Sequence, residues 1–263
     1  MPPKLIASDL DGTLILHDPN NAFNPLDTLP SEFFPLLDEM IEKGILFCAA
    51  TGRSYSSVIE HFGEYASKIC CTCENGAYIY SNGDLLEVIS IPRELGRKIC
   101  KSITPFEDCF IRINTTKHRY YLVHTEDQAD LMRKWEYPDA LTAFSFDVVE
   151  GDITQITAVS LGPIEPLAAE LIPMWKDTVG VMIAGEHWLD FTCAGKGVGH
   201  KTLCYHLGIP LVDTVAIGDN FNDAEMLEVA GTPFIMDTAS SDLLERFPNH
   251  SESALQTIRS LIN

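Results

Sequence analysis

Leu5-Ile6-Ala7-Ser8-Asp9-Leu10-Asp11-Gly12-Thr13-Leu14 decides how this chain is read. Four residues of strand character run into two carboxylates two positions apart, and a glycine turn follows at once. Burying one unpaired charge is unfavourable, and two like charges side by side are worse. A bound divalent cation resolves the conflict, and a carboxylate held beside such a cation is a good nucleophile toward a phosphoryl group. Asp-x-Asp-Gly alone is also a common turn composition. The chemical reading therefore needs the rest of the chain to supply the other parts of a phosphate site.

Outward from that run, the composition sets limits. The chain has 263 residues, 46% hydrophobic and 21% charged, which fits a soluble globular protein of one or two cores. Lys plus Arg number 18 against 38 Asp plus Glu, a formal charge of -20. That balance argues against nucleic acid and anionic membrane surfaces as partners, because both attract basic faces. A small phosphorylated ligand needs only a local cluster of donors and a metal, so it stays open. Met1-Pro2-Pro3-Lys4 leads straight into the first strand and leaves no room for a removable apolar leader. No apolar stretch reaches membrane-spanning length; Gly44 to Ala50 has the size of a buried strand. The eight cysteines are scattered, and a reducing cytoplasm is the expected location. Cys70 and Cys73 form a C-x-x-C, but zinc would need a second such pair, and both residues continue an apolar strand; packing is the expected role.

Periodicity and punctuation predict strands alternating with helices at both ends of the chain. Residues 15–29 read as an irregular excursion rich in Asn, Asp and Pro. A helix is predicted over 31–43, a buried strand over 45–50 ending at Thr51-Gly52-Arg53, a helix over 54–62, and a strand over 68–73. The middle differs. Strands are predicted at 110–113, 118–124, 144–149 and 153–161, with helices at 93–103, 125–135 and 165–177 between them. Such a pattern predicts an antiparallel sheet with helices on one face. The parallel pattern then resumes, with a helix at 196–207, a strand at 214–217, a helix at 221–230, a strand at 233–236 and two short helices. The expected fold class is α/β: a Rossmann-like core with a parallel sheet, built from residues 1–84 and 188–263, carrying an inserted α+β domain at 85–187.

In an open parallel sheet, ligands bind outside the carboxyl ends of the strands. Asp9 and Asp11 follow the first strand. Thr51 follows the second, where a hydroxyl and helix-start N–H groups suit a phosphate, or where Thr51 simply caps the helix. Lys196 opens a helix within Gly195-Lys196-Gly197, as a cationic clamp or as an ordinary solvated lysine. Asp219, Asn222 and Asp223 lie in Gly218-Asp219-Asn220-Phe221-Asn222-Asp223 after a later strand. Asp-Leu-Asp-Gly-Thr, Ala-Thr-Gly-Arg, Gly-Lys-Gly and Gly-Asp-Asn-Phe-Asn-Asp, in that order, resemble the four motifs of the haloacid dehalogenase (HAD) superfamily. The insertion after the second motif and Glu74-Asn75-Gly76-Ala77 resemble its type-IIB, Cof-like sugar-phosphatase branch.

The resemblance implies a HAD core with a type-IIB cap and a Mg²⁺-dependent phosphomonoester hydrolase acting on small phosphorylated metabolites, sugar phosphates above all. By position it implies that Asp9 is the nucleophile, which forms an aspartyl-phosphate, and also a metal ligand. Asp11 matches the general acid/base and ligates the metal through its carbonyl. Leu10, Thr51, Gly52, Lys196 and Asn222 match phosphate- or substrate-binding positions, Asp219 the remaining carboxylate ligand, and Asp223 a supporting residue. Gly195 stands where the family usually has Ser, and Asp237-Thr238-Ala239 replaces a common Gly-Asn-Ala turn. Both departures touch the rim of the site and bear on substrate choice rather than on the reaction. In the inserted domain, Arg119 and Tyr121 lie in the cation- and aromatic-rich run Lys117-His118-Arg119-Tyr120-Tyr121; with His187 they are the candidate contacts for the leaving group, against the alternative of a solvated strand. Arg53 is assigned a surface or ion-pair role at least as readily as a substrate contact. A phosphomutase of the same superfamily and a non-catalytic sugar-phosphate-binding protein are the rival readings. The second would lack Asp9, Asp11 or Asp219, and all three are present.

Overall fold

A computed structural model describes residues 2–16, 28–106, 108–135 and 137–263, so most of the expected excursion at 15–29 lies outside the described residues. The chain opens with β1 (Leu5–Ser8), α1 (Phe33–Glu42), β2 (Leu46–Ala50), α2 (Tyr55–Phe62) and β3 (Cys70–Cys73), followed by a hairpin of β4 (Tyr78–Ser81) and β5 (Asp84–Val88). The middle holds α3 (Arg93–Ile103), β6 (Cys109–Thr115), β7 (Arg119–Leu122), α4 (Glu126–Trp135), β8 (Leu141–Ala143), β9 (Ile153–Ser160), α5 (Glu165–Trp175), β10 (Gly180–Gly185) and β11 (Trp188–Thr192). Then come α6 (Lys196–Leu207), β12 (Thr214–Gly218), α7 (Ala224–Val229), β13 (Thr232–Met236), α8 (Ser241–Arg246), β14 (His250–Ser251) and α9 (Ala254–Ile262).

Two compact units result: Met1–Val88 with Gly195–Asn263, and Ile89–Ala194. The divisions fall after residue 88 and before 195, not at 84 and 188. Pairing explains the difference, because β5 is hydrogen-bonded to β4 and β11 to β9, so each strand stays with its own sheet.

The first unit is an eight-stranded sheet in the order β14-β13-β12-β1-β2-β3-β4-β5. It is parallel from β14 to β3, and the β4–β5 hairpin is antiparallel. All four residues of β1 are buried, as a central parallel strand covered on both faces requires. Helix α1 turns Phe33, Leu36, Leu37 and Met40 inward, where Phe33 meets Phe47 and Phe62 edge-on. In the register, Ser8 pairs with Ile217 on one side and Ala49 on the other. The carboxyl ends of β1, β2 and β12 therefore lie side by side, with the connections that leave β1 (toward β2) and β12 (toward β13) running in opposite directions. That is the crevice in which open parallel sheets bind ligands.

The second unit is a six-stranded sheet in the order β10-β11-β9-β6-β7-β8. Three expectations need correction here. The strand expected at 144–149 is a short 3-10 turn at Phe146–Val148, preceded by β8. The Ser145 hydroxyl accepts the Asp147 N–H and ends the strand, and the apolar alternation serves to bury Phe146 and Val149 while Phe144 and Val148 stay exposed. The sheet is not wholly antiparallel, since β7 and β8 run parallel. Its helices do not share one face: α3 and α5 pack on one side, whereas Ala129 and Met132 of α4 cover Phe110, Tyr121, Val123 and Val159 on the other. An apolar patch on the second face requires that cover. In the first unit, the helix expected at 221–230 opens as a 3-10 turn at Phe221–Asp223 before α7.

Candidate active site

Asp9 stands immediately past β1. Its N–H donates to the Ile217 carbonyl (2.9 Å), which extends the β1–β12 pairing by one residue and fixes Asp9 beside the end of β12. The Leu10 carbonyl then accepts the N–H groups of Thr13, Leu14 and Ile15, closing a tight loop whose Leu10 side chain is buried in the core. Gly12 sits in that loop at φ +88°, where a Cβ would lie 2.3 Å from Asp219 Oδ2. Only glycine lets the Asp219 carboxylate settle against the loop backbone. The Thr13 hydroxyl donates to the other Asp219 oxygen at 3.3 Å.

Lys196, the first residue of α6, is 1% exposed, with Nζ 2.6 Å from both Asp9 Oδ1 and Asp223 Oδ1. The second Asp223 oxygen accepts the N–H groups of Asp219 and Asn220, each at 3.0 Å. Asp223 thus ties the lysine to the loop that carries Asp219, and this backward pull explains the 3-10 opening before α7. The start of α6 is placed by glycine contacts. A Cβ on Gly76 (φ +89°) would fall 2.3 Å from the Gly195 carbonyl oxygen, and one on Gly199 would fall 2.8 Å from Gly76 Cα.

Three carboxylates here share one ammonium. Burial pushes the Asp9 carboxyl well above the usual carboxylate range; Asp223 and Asp219 add to the rise and Lys196 opposes it. Burial likewise raises Asp219, helped by the charge of Asp223. Burial works against the Lys196 ammonium, but Asp9 and Asp223 outweigh it and hold its pKa above that of a free lysine. The lysine stays charged, and positive charge is what the cluster lacks. One oxygen from each of Asp9, Asp219 and Asp223 lies within 4.8 Å of the others. An all-carboxylate set short of positive charge fits a hard divalent cation such as Mg²⁺. Asp223 already directs one oxygen to Lys196 and the other to two backbone N–H groups. Asp9 and Asp219 are therefore the side chains that would hold the ion, with Asp223 as their brace.

Asp11 is held by Arg53, whose Nε and Nη2 donate to its two oxygens at 2.8 and 2.5 Å. Such a two-pronged pair fixes direction as well as charge. His61 accepts from Arg53 Nη1 (2.9 Å), and its Nδ1 lies 2.8 Å from the Ser57 carbonyl, to which it donates. Thr51 is fully buried; its hydroxyl accepts the Arg53 N–H, and its carbonyl accepts the Asn75 N–H. The Asn75 side-chain oxygen accepts from Asn222 Nδ2 (3.2 Å) and faces Gly52 across 3.4 Å, measured to the position of a Cβ there. The first unit accordingly brings together every site residue predicted within it: Asp9, Leu10, Asp11, Thr51, Gly52, Lys196, Asp219, Asn222 and Asp223.

A family model described as haloacid dehalogenase-like hydrolase matches residues 6–255, nearly the whole chain. The chain belongs to that family. Among its relatives is the 5-amino-6-(5-phospho-D-ribitylamino)uracil phosphatase of Escherichia coli K12, 26% identical over 90% of this chain and 86% of its own length. An HMP-PP phosphatase of Escherichia coli O8 is 24% identical over 94% of this chain and 88% of its own. Among solved structures, a HAD subclass IIB sugar phosphatase matches at a TM-score of 0.71 and 21% identity, covering 99% of this chain and 100% of the other. That likeness establishes the fold.

For this haloacid dehalogenase-like hydrolase, sequence reasoning gave no role to Thr13 and Asn75, and left Arg53 between a surface or ion-pair role and a substrate contact. Arg53 fixes Asp11, Thr13 fixes Asp219, and Asn75 joins Gly52 to Asn222. A signal for Asn75 was present in Asn75-Gly76, the two residue types that most readily take the positive φ found there (+54° and +89°), which Glu74 before them also takes (+50°). The candidates in the second unit fare differently. Tyr121 is fully buried under α4, and its hydroxyl accepts the Tyr137 N–H (3.0 Å), so it is a packing residue and not a leaving-group contact. His187 donates from Nδ1 to the Gly162 carbonyl (2.9 Å), with its ring 5.1 Å from that of Trp135. Arg119 donates to Asn114 Oδ1 and lies against Tyr137. Cys70 and Cys73 are buried free thiols, and Cys70 donates to the Ser81 hydroxyl. No helix among the described residues is long and apolar enough to cross a membrane.

Proposed function

We propose that this hydrolase is a Mg²⁺-dependent phosphatase of small phosphorylated metabolites, sugar phosphates among them, and that it carries the phosphoryl group on Asp9. The observation that carries the reading is the convergence on Asp9: a buried carboxylate touching Lys196, beside Asp219, with the side chain of Asp11 fixed two residues away. The names of the two Escherichia coli relatives, both phosphatases of small phosphorylated compounds, support it.

An Asp9 oxygen forms a bond to phosphorus as the ester P–O bond breaks, and a proton passes to the departing alkoxide from the Asp11 carboxyl, which must first turn from Arg53 and take up that proton. Asp11, now a carboxylate, takes a proton from water as the water oxygen attacks phosphorus; the bond to Asp9 breaks and inorganic phosphate leaves. Lys196 and the hydroxyl and N–H groups around Thr51 orient the phosphoryl oxygens, since such transfer depends mainly on positioning and charge neutralisation. Asp9, Asp219 and, on the family resemblance, the Asp11 carbonyl would hold Mg²⁺, which would supply positive charge to the phosphoryl oxygens. Asp9→Asn is expected to abolish Mg²⁺-dependent phosphate release while circular dichroism stays unchanged. Full activity in that variant would sink the covalent route, and an isomerised sugar phosphate in place of inorganic phosphate would point to a mutase.

A further inference from the structure

Among the described residues the two sheets present four edges, and three of them are blunted by short length or by charge. An edge strand carries a row of unpaired N–H and C=O groups that can pair with another chain, and both devices oppose such pairing. β14 has two residues and β8 three. β5 carries Asp84 and Glu87, and His206 lies 2.6 Å from the Glu87 carboxylate. The fourth edge, β10, keeps neither device. Its sequence Gly180-Val181-Met182-Ile183-Ala184-Gly185 holds no charge and no proline, and the uncharged stretch reaches back through Val179 to Thr178. A bulge between Ile183 and Gly185 bends the far end, so Gly180 to Ile183 form the regular part of the edge.

Cover is missing as well. Successive residues of a strand point to opposite faces, yet Met182 and Ile183 are each 47% exposed, and Ala184 after them is exposed too. The neighbouring β11 shows where the packing stops: Leu189, paired with Ile183, and Phe191, paired with Val181, are both buried. From Met182 to Ala184 the strand is therefore bare on both faces, beside an edge with no strand paired to it. Helix α5, which leads into β10 and packs against it, adds an exposed Met174 in its last turn. One exposed apolar side chain needs no explanation, but a run of them on an unpaired strand edge is a surface for association.

Charge selects the occupant. Each chain carries a formal charge of -20, so two copies repel one another, and least along the uncharged run 178–185. A basic partner would be drawn to the acidic surface instead of this neutral run. An antiparallel strand edge is also self-complementary. Turned about a two-fold axis, the donors of one copy face the acceptors of the other, and each copy covers the apolar side chains that its partner leaves bare.

We infer that β10 is a self-association edge, at which two copies of this chain pair antiparallel and join their six-stranded sheets into one. Gly180 to Ile183 make a small interface, below the roughly 800 Å² per partner of a standard one, so dimer and monomer exchange. Salt strengthens the pairing, because it screens the repulsion between two acidic chains and leaves main-chain hydrogen bonds in place. Sedimentation equilibrium on the full chain, from micromolar to near-millimolar protein, tests this at low and high salt. The weight-average mass is expected to rise from 29.2 kDa toward twice that value, more steeply at high salt. Met182→Lys and Met182→Glu move the net charge in opposite directions, yet each brings two like charges into the paired edge. Both are expected to weaken dimerisation roughly tenfold or more, with thermal melts reporting that the variants are folded. Leu85→Lys, at an exposed position of β5, should leave the rise in mass intact. In the unaltered protein, amide hydrogen exchange over 180–185 should slow as protein concentration increases. A chain that stays monomeric throughout overturns the inference, and so does a dimer that survives both Met182 variants or leaves exchange over 180–185 unchanged. Strengthening by Met182→Lys with weakening by Met182→Glu would also overturn it, since net charge alone would then govern association.

Discussion

Lys196 is the residue on which the site's electrostatics turn. It is nearly inaccessible and is the ammonium between Asp9 and Asp223. Removing one partner of a buried ion pair leaves an uncompensated charge, which typically costs about 3–5 kcal/mol. Lys196→Met, similar in length but uncharged, is expected to lose stability on that scale in urea unfolding without divalent cation. A loss below 1 kcal/mol, the range of surface ion pairs, would mean that the carboxylates are neutralised in some other way. His200, one turn further along α6, makes the opposite kind of demand. It is buried, and burial pushes its pKa down to about 4. The Thr214 hydroxyl donates to the Leu211 carbonyl and so accepts from His200 Nε2, which leaves the neutral imidazole as the form that fits. An unfolded histidine takes up its proton near pH 6.5 and the folded one near 4, so in between the unfolded chain binds more protons. Stability is therefore lost as pH falls through that window and levels off below it, with a total of about 3 kcal/mol. The difference in unfolding free energy between pH 7 and pH 4.5 should shrink in His200→Gln; an identical pH slope in both proteins would remove His200 as the cause.

Elements meet at the site through glycine. The loop after β3 and the start of α6 touch at Gly76, Gly195 and Gly199, and this contact sets where Lys196 begins. Gly76→Ala adds a Cβ that meets backbone at 2.3 Å in a left-handed conformation, so either the loop or the helix must move. Lower stability and a steep loss of phosphatase activity are expected together, although residue 76 bears no functional group. Activity near that of the unaltered protein would show that the approach of α6 is more tolerant than its spacing implies. At this scale the chain was only partly legible. Helix α3 was readable to the residue, through its strong apolar face, and α6 likewise, through its glycine stop at Gly208. The β4–β5 hairpin went unread although Asn82-Gly83, both at positive φ, is a strong turn signal between short strands. Phe144 to Val149 alternates as a strand would, but local Ser145 and Asp147 chemistry wins over periodicity. The parallel pairing of β7 and β8 and the cover by α4 depend on contacts between distant residues, which no local pattern encodes.

At the scale of the whole molecule, the chain carries a formal charge of -20, and three of its carboxylates, Asp9, Asp219 and Asp223, gather at one point. A ligand that binds only the folded state stabilises it by mass action, about 2.7 kcal/mol at a hundred times its Kd. Mg²⁺ is therefore expected to raise the melting temperature by several degrees over Na⁺ at equal ionic strength, and Asp219→Asn should remove most of that increment. An equal rise in the variant would assign the effect to general screening of acidic charge instead of a site. Residue order by itself determined the parallel core, the insertion, and the types of group at the strand ends, because strand periodicity and glycine punctuation are local properties. Tertiary structure alone decided that Asp223 braces Lys196 instead of offering a free carboxylate, that Arg53 holds Asp11, and that Tyr121 is buried while Arg119 donates to Asn114. Those outcomes follow from strand register and from close backbone approach, which join residues far apart in sequence and exist only once the sheet has formed.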